Sequence, residues 1–297
     1  MKKHITNRDM INFFVLPAVI IYTFVLIYPL FNGVVLSFTD WNGFSGLYNF
    51  IGIENYTKIF RDTRLNASLE ITAKYLIVIL VLPIIFGYIS ALCLLQIKGK
   101  IQILIRTILL FPFALTPVIV GAMWNQIYYE FLPWVGDSLN IFFLQRNLLS
   151  NPSFALYAVA FVNCWTLLPL STILFLAALE SIPQDIIYAA MLDGANEFKI
   201  LLHIKVPYLL STFTILLLLL AKEALTSIDL IMILTGGGPG RNTETFYYLV
   251  YRNSYLEHLY SYGLAEGLLI SCIIICLYIF IERTALRKNT DLDTTEV

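Results

Sequence analysis

The chain has 297 residues, of which 59% are hydrophobic and only 13% are charged, and its mean hydropathy is +0.77. Soluble proteins carry roughly 25% charged residues, so this composition excludes an ordinary soluble domain and indicates a polytopic membrane protein. The formal net charge of −1 gives no basis for binding nucleic acid. The four cysteines lie in apolar segments without CxxC spacing, which argues against a metal site or a disulfide framework.

Six apolar runs are long enough to cross the hydrocarbon core of a bilayer, which takes about 20 helical residues. The first run is too long for the core of a signal peptide and has no small-residue cleavage site, so we expect it to be retained. The sequence therefore predicts an all-α membrane protein with six transmembrane helices, over residues 11–38, 71–97, 101–127, 154–179, 208–228 and 263–281.

Lysine and arginine are unevenly divided between the two sets of loops. The side that holds both termini carries eleven of them and the other side six. Cytoplasmic loops are enriched in these residues, so both termini are predicted to be cytoplasmic. One membrane domain over 11–285 is expected, with 1–10 and 286–297 as cytoplasmic tails. The basic residues on the cytoplasmic side are Lys2, Lys3, Arg8, Lys98, Lys100, Arg106, Lys199, Lys205, Arg283, Arg287 and Lys288.

The outer loops, residues 39–70, 128–153 and 229–262, are rich in aromatic residues. Aromatic side chains favour the membrane interface, so anchoring there explains most of them. Within the first loop, residues 49–62 place apolar side chains near helical spacing, which predicts a short helix lying flat on the outer surface. In the last loop, the segment TGGGPG is not followed by Gly-Lys-Ser/Thr, so it does not indicate a nucleotide-binding loop.

Residues 181–208 form a polar island between two apolar runs. Pro183 suits the first turn of a helix, and Gly194 suits the left-handed residue that follows a helix end. Asn196 is a candidate N-cap for a second helix over about 197–204, and Pro207 is expected to mark its end. The island is thus predicted to be a cytoplasmic helix–turn–helix. Taken alone, this pattern fits a solvated hairpin and a docking surface equally well. A docking surface would use one face of the first helix, formed by Ile186, Ala189, Ala190 and Asp193.

The spacing LxxIPxxxxxAAxxDGAxxxxxxxxIxxPxL in this island resembles the cytoplasmic motif of binding-protein-dependent ABC importer permeases. The matching residues are Leu179, Ile182, Pro183, Ala189, Ala190, Asp193, Gly194, Ala195, Ile204, Pro207 and Leu209. The resemblance implies a coupling helix that inserts into a cleft of an ATPase subunit. Tyr188 stands where the motif usually has glutamate, so docking is expected to depend on shape and small residues. The implied coupling residues are Tyr188, Ala189, Ala190, Asp193, Gly194 and Pro207.

Other segments are similar to the sugar-type branch of these permeases, which includes the maltose-transport permeases. They are FIGIENY at residues 50–56, DLIMILTGGGP at 229–239, and Phe111, Pro112, Pro117 and Trp124. The resemblance covers residues 11–285 and implies a type I ABC importer permease fold, a bacterial cell membrane location and import of a sugar or oligosaccharide. It also implies that TGGGPG is an outer gate. The positions that match sugar contacts, with the neighbouring Trp165, are Asn163, Trp165, Thr166, Leu167, Leu170, Leu220, Glu223, Ala224 and Ser227.

The same resemblance implies partners rather than cofactors for this chain. It has no Walker motif and no catalytic constellation, so we do not expect an enzyme or any catalytic residue. ATP and Mg²⁺ would be bound by a separate ATPase subunit. The expected partners are a second homologous permease, a cytoplasmic ATPase dimer, an extracytoplasmic solute-binding protein and membrane lipid.

Two alternatives stay open at this stage. The same class of importer could carry glycerol phosphate or a polyol. A different class, an ion-coupled secondary transporter, could use Lys222, Glu223 and Glu266 as a relay, although the inverted repeats and broken helices typical of such folds are not visible. Charges within spans are costly. The sequence predicts Glu266 as the partner of Lys222 and leaves open whether the cluster is structural or contacts substrate.

Overall fold

The structure, a computed structural model, describes residues 7–293, with side chains described for residues 15–284. Lys2, Lys3, Arg8, Arg287 and Lys288 of the orientation argument lie outside the described side chains. The chain divides into two compact units. The first comprises residues up to Thr63 together with Val250–Ser271, and the second comprises Arg64–Leu249 together with residues from Cys272 onward.

The described chain is helical, and its only extended pairing is an isolated bridge between Thr39 and Phe50. Helices α1 and α2 are joined by a π-helical turn, Thr23–Ile27, and form the first span. In chain order the helices are α1 (Asn7–Tyr22), α2 (Tyr28–Leu36), α3 (Glu54–Arg61), α4 (Thr63–Gln96), α5 (Lys100–Ala114), α6 (Pro117–Gln126), α7 (Leu132–Leu139), α8 (Ala155–Glu180), α9 (Gln184–Leu192), α10 (Glu197–Ile200), α11 (Val206–Tyr208), α12 (Leu210–Thr226), α13 (Asp229–Leu234), α14 (Phe246–Tyr251) and α15 (Tyr260–Asp293).

Six spans are present in the described chain if each bent helix pair is counted as one span. Two such pairs occur, Lys100–Ala114 with Pro117–Leu139 and Glu197–Tyr208 with Leu210–Thr226. Four helices are long and apolar enough by themselves, namely Val15–Leu36, Thr63–Gln96, Ala155–Glu180 and Tyr260–Thr284. The predicted all-α, six-span class is confirmed, but two of the spans are not straight.

The third span is not the single helix that its hydropathy predicts over residues 101–127. The axes of α5 and of the segment Pro117–Leu139 differ by 96°, and the chain between them is extended at Thr116 (φ −69°, ψ 147°). Pro117 causes this break because its ring disfavours helical geometry in the residue before it. Pro112 also removes an N–H donor from the last turns of α5. The prediction of an unbroken span here is wrong, although the responsible prolines are visible in the sequence.

The polar island has the predicted helix–turn–helix form. Pro183 is the residue before α9 rather than a member of its first turn. Gly194 has φ +80°, and the N–H of Ala195 donates to the carbonyl of Ala190 at 2.9 Å, which closes the helix as a Schellman motif. The side chain of Asn196 accepts from the backbone N–H of Lys199 at 2.8 Å, as expected of an N-cap.

The second helix of the island runs further than predicted. It continues from α10 through a π-helical turn, Leu201–Lys205, to the end of α11 at Tyr208. The expected stop before Pro207 is wrong because a proline removes only one backbone donor, and the helix passes through Pro207 and ends one residue later. The chain changes direction at Leu209 instead, and the helices on either side differ by 61°.

An apolar cluster anchors the island to three spans of the second unit. Ring contacts join these elements, with the Phe175 and Phe213 centroids 4.9 Å apart and those of Tyr88 and Phe175 5.5 Å apart. Because lipid is as apolar as these side chains, close van der Waals packing holds the cluster together. A displacement of α9 is therefore coupled to α4, α8 and α12. The buried members are Ala91, Leu94, Phe175, Leu176, Leu179, Ile182, Leu209 and Leu216, and Ile187 and Ile204 of the island pack against them.

Helices α4 and α8 approach closely at Gly87. A Cβ at this position would lie 2.6 Å from Ser171 Cβ and 3.1 Å from the carbonyl carbon of Ser171. Because such distances force the backbone to shift, Gly87→Ala is expected to lower the free energy of unfolding by about 1–3 kcal/mol. Gly46→Ala, whose Cβ would meet nothing within 4 Å, is the matched control and should stay within about 0.5 kcal/mol. Thermal unfolding in detergent measures both variants, and equal effects would contradict the close packing.

The motif FIGIENY secures the C-terminal end of the first span, within the first unit. The side-chain amide of Asn55 donates to the carbonyls of Ser37 and Thr39 at 2.8 and 2.9 Å, and the hydroxyls of Tyr56 and Ser37 lie 2.8 Å apart. The predicted helix over 49–62 begins only at Glu54. Residues 49 and 51 instead exchange backbone hydrogen bonds with residues 40 and 38. The N–H of Asn49 also donates to the carboxylate of Asp40, which holds the pKa of Asp40 below its usual value.

Candidate functional site

A small cavity of about 210 Å³ lies in the second unit, where two helix breaks meet. One is the bend between α5 and α6, and the other is the extended Ser227 (φ −71°, ψ 120°) between α12 and α13. Main-chain direction changes at both breaks, so the side chains there converge on one space. The lining residues are Pro112, Phe113, Leu115, Pro117, Val120, Asn163, Thr166, Leu167, Glu223, Ser227, Asp229 and Leu230.

The sequence-predicted pathway residues are only partly brought together in this cavity. Those that line it are Asn163, Thr166, Leu167, Glu223 and Ser227. Trp165 instead lies edge-on against Trp124, with 5.6 Å between ring centroids, because it is turned about 200° around α8 from Asn163. Ala224 is buried among the helices, and Leu170 is not among the lining residues. For these last three residues, contact with substrate stays a prediction.

A buried hydrogen-bond network holds the polar wall of the cavity. The Asn163 side-chain amide donates to the Tyr75 hydroxyl at 2.8 Å and lies 3.4 Å from the Ser227 hydroxyl. Tyr75, Asn163 and Ser227 are all buried. The Thr166 hydroxyl donates to the Asn163 carbonyl at 2.8 Å. Since a buried amide left without partners is costly, these bonds fix the Asn163 side chain and join α4, α8 and the break after α12.

Tyr75 is the residue of this network that sequence reasoning missed. It lies within a long apolar run, where a tyrosine reads as one more large side chain. A buried hydroxyl requires a partner, which is a signal that the position matters. The partner lies 88 residues away on another helix, so local sequence does not reveal it.

Two acidic residues, Glu223 and Asp229, are among the lining residues of the cavity; Asp229 is exposed and the Glu223 side chain is 37% exposed. The Lys222 ammonium lies 3.7 Å from Glu223 Oε2 but is not part of the lining, and its side chain is 65% exposed. The predicted partner of Lys222, Glu266, belongs to the first unit, where both of its carboxylate oxygens accept from the Asn253 amide at 2.9 Å. The pairing of Lys222 with Glu266 stays a prediction, and the observed ion pair of Lys222 is with its neighbour.

A larger cavity of about 920 Å³ lies elsewhere in the second unit and has a different character. Its lining is aromatic and aliphatic, and the hydroxyl of Tyr128 donates to the backbone carbonyl of Ala158 at 2.9 Å. It has no carboxylate, amide or aliphatic hydroxyl among its lining side chains, so the small cavity is the better site for a polar solute. The lining residues are Trp124, Ile127, Tyr128, Phe131, Leu132, Phe143, Leu144, Leu148, Phe154, Tyr157, Ala158 and Phe161.

Residues 83–289 match the family of binding-protein-dependent transport system inner membrane components. The chain belongs to this family. The match includes the polar island and every residue that lines the small cavity. The protein is therefore a multi-pass membrane component of a transport system, and as a permease subunit it is not itself an enzyme.

Similar proteins cover nearly the whole chain. The permease is 33% identical to the multiple sugar-binding transport system permease protein MsmF of Streptococcus mutans, over 89% of this chain and 90% of that protein. It is 32% identical to the trehalose/maltose transport system permease protein MalF of Thermococcus litoralis, over 77% and 76% of the two chains. A crystal structure of a bacterial ABC transporter involved in the import of the acidic polysaccharide alginate has the same fold, with TM-score 0.78, 19% identity and coverage of 94% and 96%.

The coupling residues predicted in the permease lie mostly on the exposed side of the island. Tyr188, Ala189, Asp193 and Gly194 are exposed, whereas Ala190 and Pro207 are half-buried. Sequence reasoning missed the apolar side chains that accompany them. The signal was available, because large apolar residues in a polar loop need a reason to be there. These exposed side chains are Met191, Leu192, Phe198 and Leu202, of which Leu192 is 90% exposed.

The loop TGGGPG is closed by internal hydrogen bonds. The Thr243 hydroxyl donates to the Gly238 carbonyl at 2.8 Å, and the hydroxyls of Thr235 and Thr243 lie 2.8 Å apart. Gly237 has φ +84°, and a Cβ on it would lie 2.7 Å from the Tyr248 ring. The loop therefore has a defined shape in the permease, and its role as an outer gate stays a prediction.

Proposed function

We propose that the permease forms the substrate path of an ATP-driven importer for a sugar or oligosaccharide. The observation that carries this proposal is the small cavity, where the polar groups of Asn163, Thr166 and Ser227 lie beside the apolar Phe113 and Leu167. Sugars present both hydroxyl groups and apolar ring faces, which match such a wall. The names of the two similar permeases, which mention multiple sugars and trehalose/maltose, support the same substrate class.

The island is the proposed docking site for a cytoplasmic ATPase dimer, and it transmits movement of the ATPases to the spans. Its exposed apolar side chains suit burial in a cleft, while Ile182, Ile187 and Ile204 secure it to the apolar cluster of the spans. ATP and Mg²⁺ are bound by the ATPase rather than by this chain. Closure of the ATPases moves α9, and α4, α8 and α12 follow because they share one buried cluster.

A second homologous permease, an extracytoplasmic solute-binding protein and membrane lipid complete the proposed assembly, in the membrane of a bacterial cell. Both termini and the island lie in the cytoplasm, in accord with the loop charges. The binding protein docks on the opposite side and releases its solute into the cavity when the spans open outward. Dependence on a binding protein follows from the family itself.

Uptake measurements test this function directly. The complete transporter, expressed in cells that lack it, should import a labelled neutral oligosaccharide in competition with unlabelled sugars but not with glycerol 3-phosphate. Uptake by right-side-out vesicles loaded with ATP should stop when vanadate is loaded together with the ATP and should persist with a protonophore. Uptake that persists with vanadate and stops with a protonophore would show an ion-coupled carrier and overturn ATP-driven import.

Glu223→Ala is expected to lower the transport rate about tenfold without changing the affinity of the binding protein for its ligand. The variant removes a carboxylate that accepts hydrogen bonds from sugar hydroxyls, and a hydrogen bond to a charged group is worth about 1.5–3 kcal/mol. Uptake kinetics and ligand titration of the isolated binding protein measure the two quantities. Unaltered transport would assign Glu223 a structural role.

A further inference from the structure

We infer that the small cavity selects uncharged over anionic carbohydrates, and that Glu223 and Asp229 determine this preference. The inference rests on the proposed function and narrows its substrate class. It also disfavours glycerol phosphate, which carries a negative charge, as the solute of this permease.

The charges of the lining carry the argument. Glu223 and Asp229 both line the cavity, from the two sides of the break at Ser227, and no lysine, arginine or histidine is among the lining residues. The remaining polar side chains, Asn163, Thr166 and Ser227, are neutral. An ionised carboxylate only accepts hydrogen bonds, so it pairs with the hydroxyl groups of a sugar but repels a uronate, sulfonate or phosphate.

Lys222 offsets this charge only in part. Its ammonium is paired with Glu223 at 3.7 Å, yet its side chain is largely exposed and lies outside the lining. Asp229 contributes a second carboxylate from the start of α13. A solute held in a cavity of about 210 Å³ lies within the Debye length of about 8–10 Å of both residues, so salt weakens the repulsion without removing it.

The fold does not by itself set the preference for charge. The structurally similar transporter is involved in the import of the acidic polysaccharide alginate, although the two folds agree with a TM-score of 0.78. Any selection between neutral and acidic carbohydrates within the permease itself must then lie in side chains that differ between such proteins. The acidic lining of this cavity supplies such a difference.

Saturation-transfer NMR on the complex with its second permease and ATPase, in nanodiscs without the binding protein, tests the inference. Maltose and digalacturonate at millimolar concentration serve as the neutral and anionic probes. The wild-type complex should bind maltose roughly tenfold better, the size of effect that one neighbouring charge has on an ionisation equilibrium. Glu223→Gln, Asp229→Asn and the double variant should progressively reduce this ratio, and Glu70→Gln, an exposed carboxylate outside the cavity, should leave it unchanged.

The outcomes separate the inference from the function on which it rests. Binding of neither probe by the wild type would overturn the proposed sugar transport, and this inference with it. Binding of both probes with equal affinity, or a ratio that the double variant leaves unchanged, would overturn the charge preference alone. Both substitutions in the lining keep the shape of the side chain, so assembly of the complex, checked by gel filtration, should be the same for the single and double variants.

Discussion

Ala189→Arg should abolish uptake and release the ATPase from the membrane, while the permease itself remains inserted. Ala189 is exposed on α9, so the new side chain meets nothing within this chain and folding is unaffected. In the docked assembly, however, a guanidinium would have to enter an apolar cleft without a partner, which costs several kcal/mol. Co-purification of the ATPase with the permease and uptake by whole cells measure the two losses.

Ala67→Arg is the matched control, because Ala67 is also exposed and helical but lies at the start of α4, away from the island. It should leave both association and uptake intact. Gly194→Val tests the same surface by disturbing the left-handed backbone conformation that ends α9. A residue other than glycine at φ +80° costs about 1–2 kcal/mol, although a Cβ there meets no atom within 4 Å. Normal uptake in both Ala189→Arg and Gly194→Val would remove the docking role of the island.

Asn163→Ala is expected to lower uptake by more than about tenfold and to destabilise the permease by about 1–3 kcal/mol. The substitution removes the amide that donates to the buried Tyr75 hydroxyl, and the loss of a buried hydrogen-bond partner costs about this amount. It also removes a polar group from the cavity wall. Uptake kinetics and thermal unfolding of the purified permease separate the two effects.

Tyr75→Phe distinguishes positioning from stability. It keeps the Asn163 side chain in the cavity wall but removes the hydroxyl that orients it, so uptake should fall severalfold. Tyr128→Phe is the matched control, since its buried hydroxyl also makes a hydrogen bond, at 2.9 Å to Ala158, but outside the small cavity. If both variants lower uptake only in proportion to their loss of stability, Tyr75 has no role in positioning Asn163.

The sequence predicted the features that depend on residues close to one another in the chain. Hydropathy located the six spans, and the island followed from Gly194 and Asn196, whose backbone requirements act within a few residues. The family motif directed attention to Asn163, Glu223 and Ser227, which the structure places around one cavity.

The features that the sequence did not reveal depend on distant parts of the chain. The partner of Tyr75 is 88 residues away, and Asp229 joins the cavity only because the chain is extended at Ser227. Hydropathy also predicted a straight third span, because an average over residues 101–127 is insensitive to two prolines. Proline chemistry predicts a break at this point, but the 96° angle depends on how each arm packs.

The bend between α5 and α6 divides the third span into two helical arms connected by a short non-helical segment. No helical ladder runs through Leu115 and Thr116, so the two arms can reorient by rotation about a few main-chain dihedrals without breaking the hydrogen bonds of either arm. The arms also have different attachments, since Arg106 on α5 pairs with Glu180 on α8, whereas Gly121 on α6 packs against Ile233 on α13. Prolines on both arms line the small cavity. The size of the cavity therefore depends on the angle between the two arms.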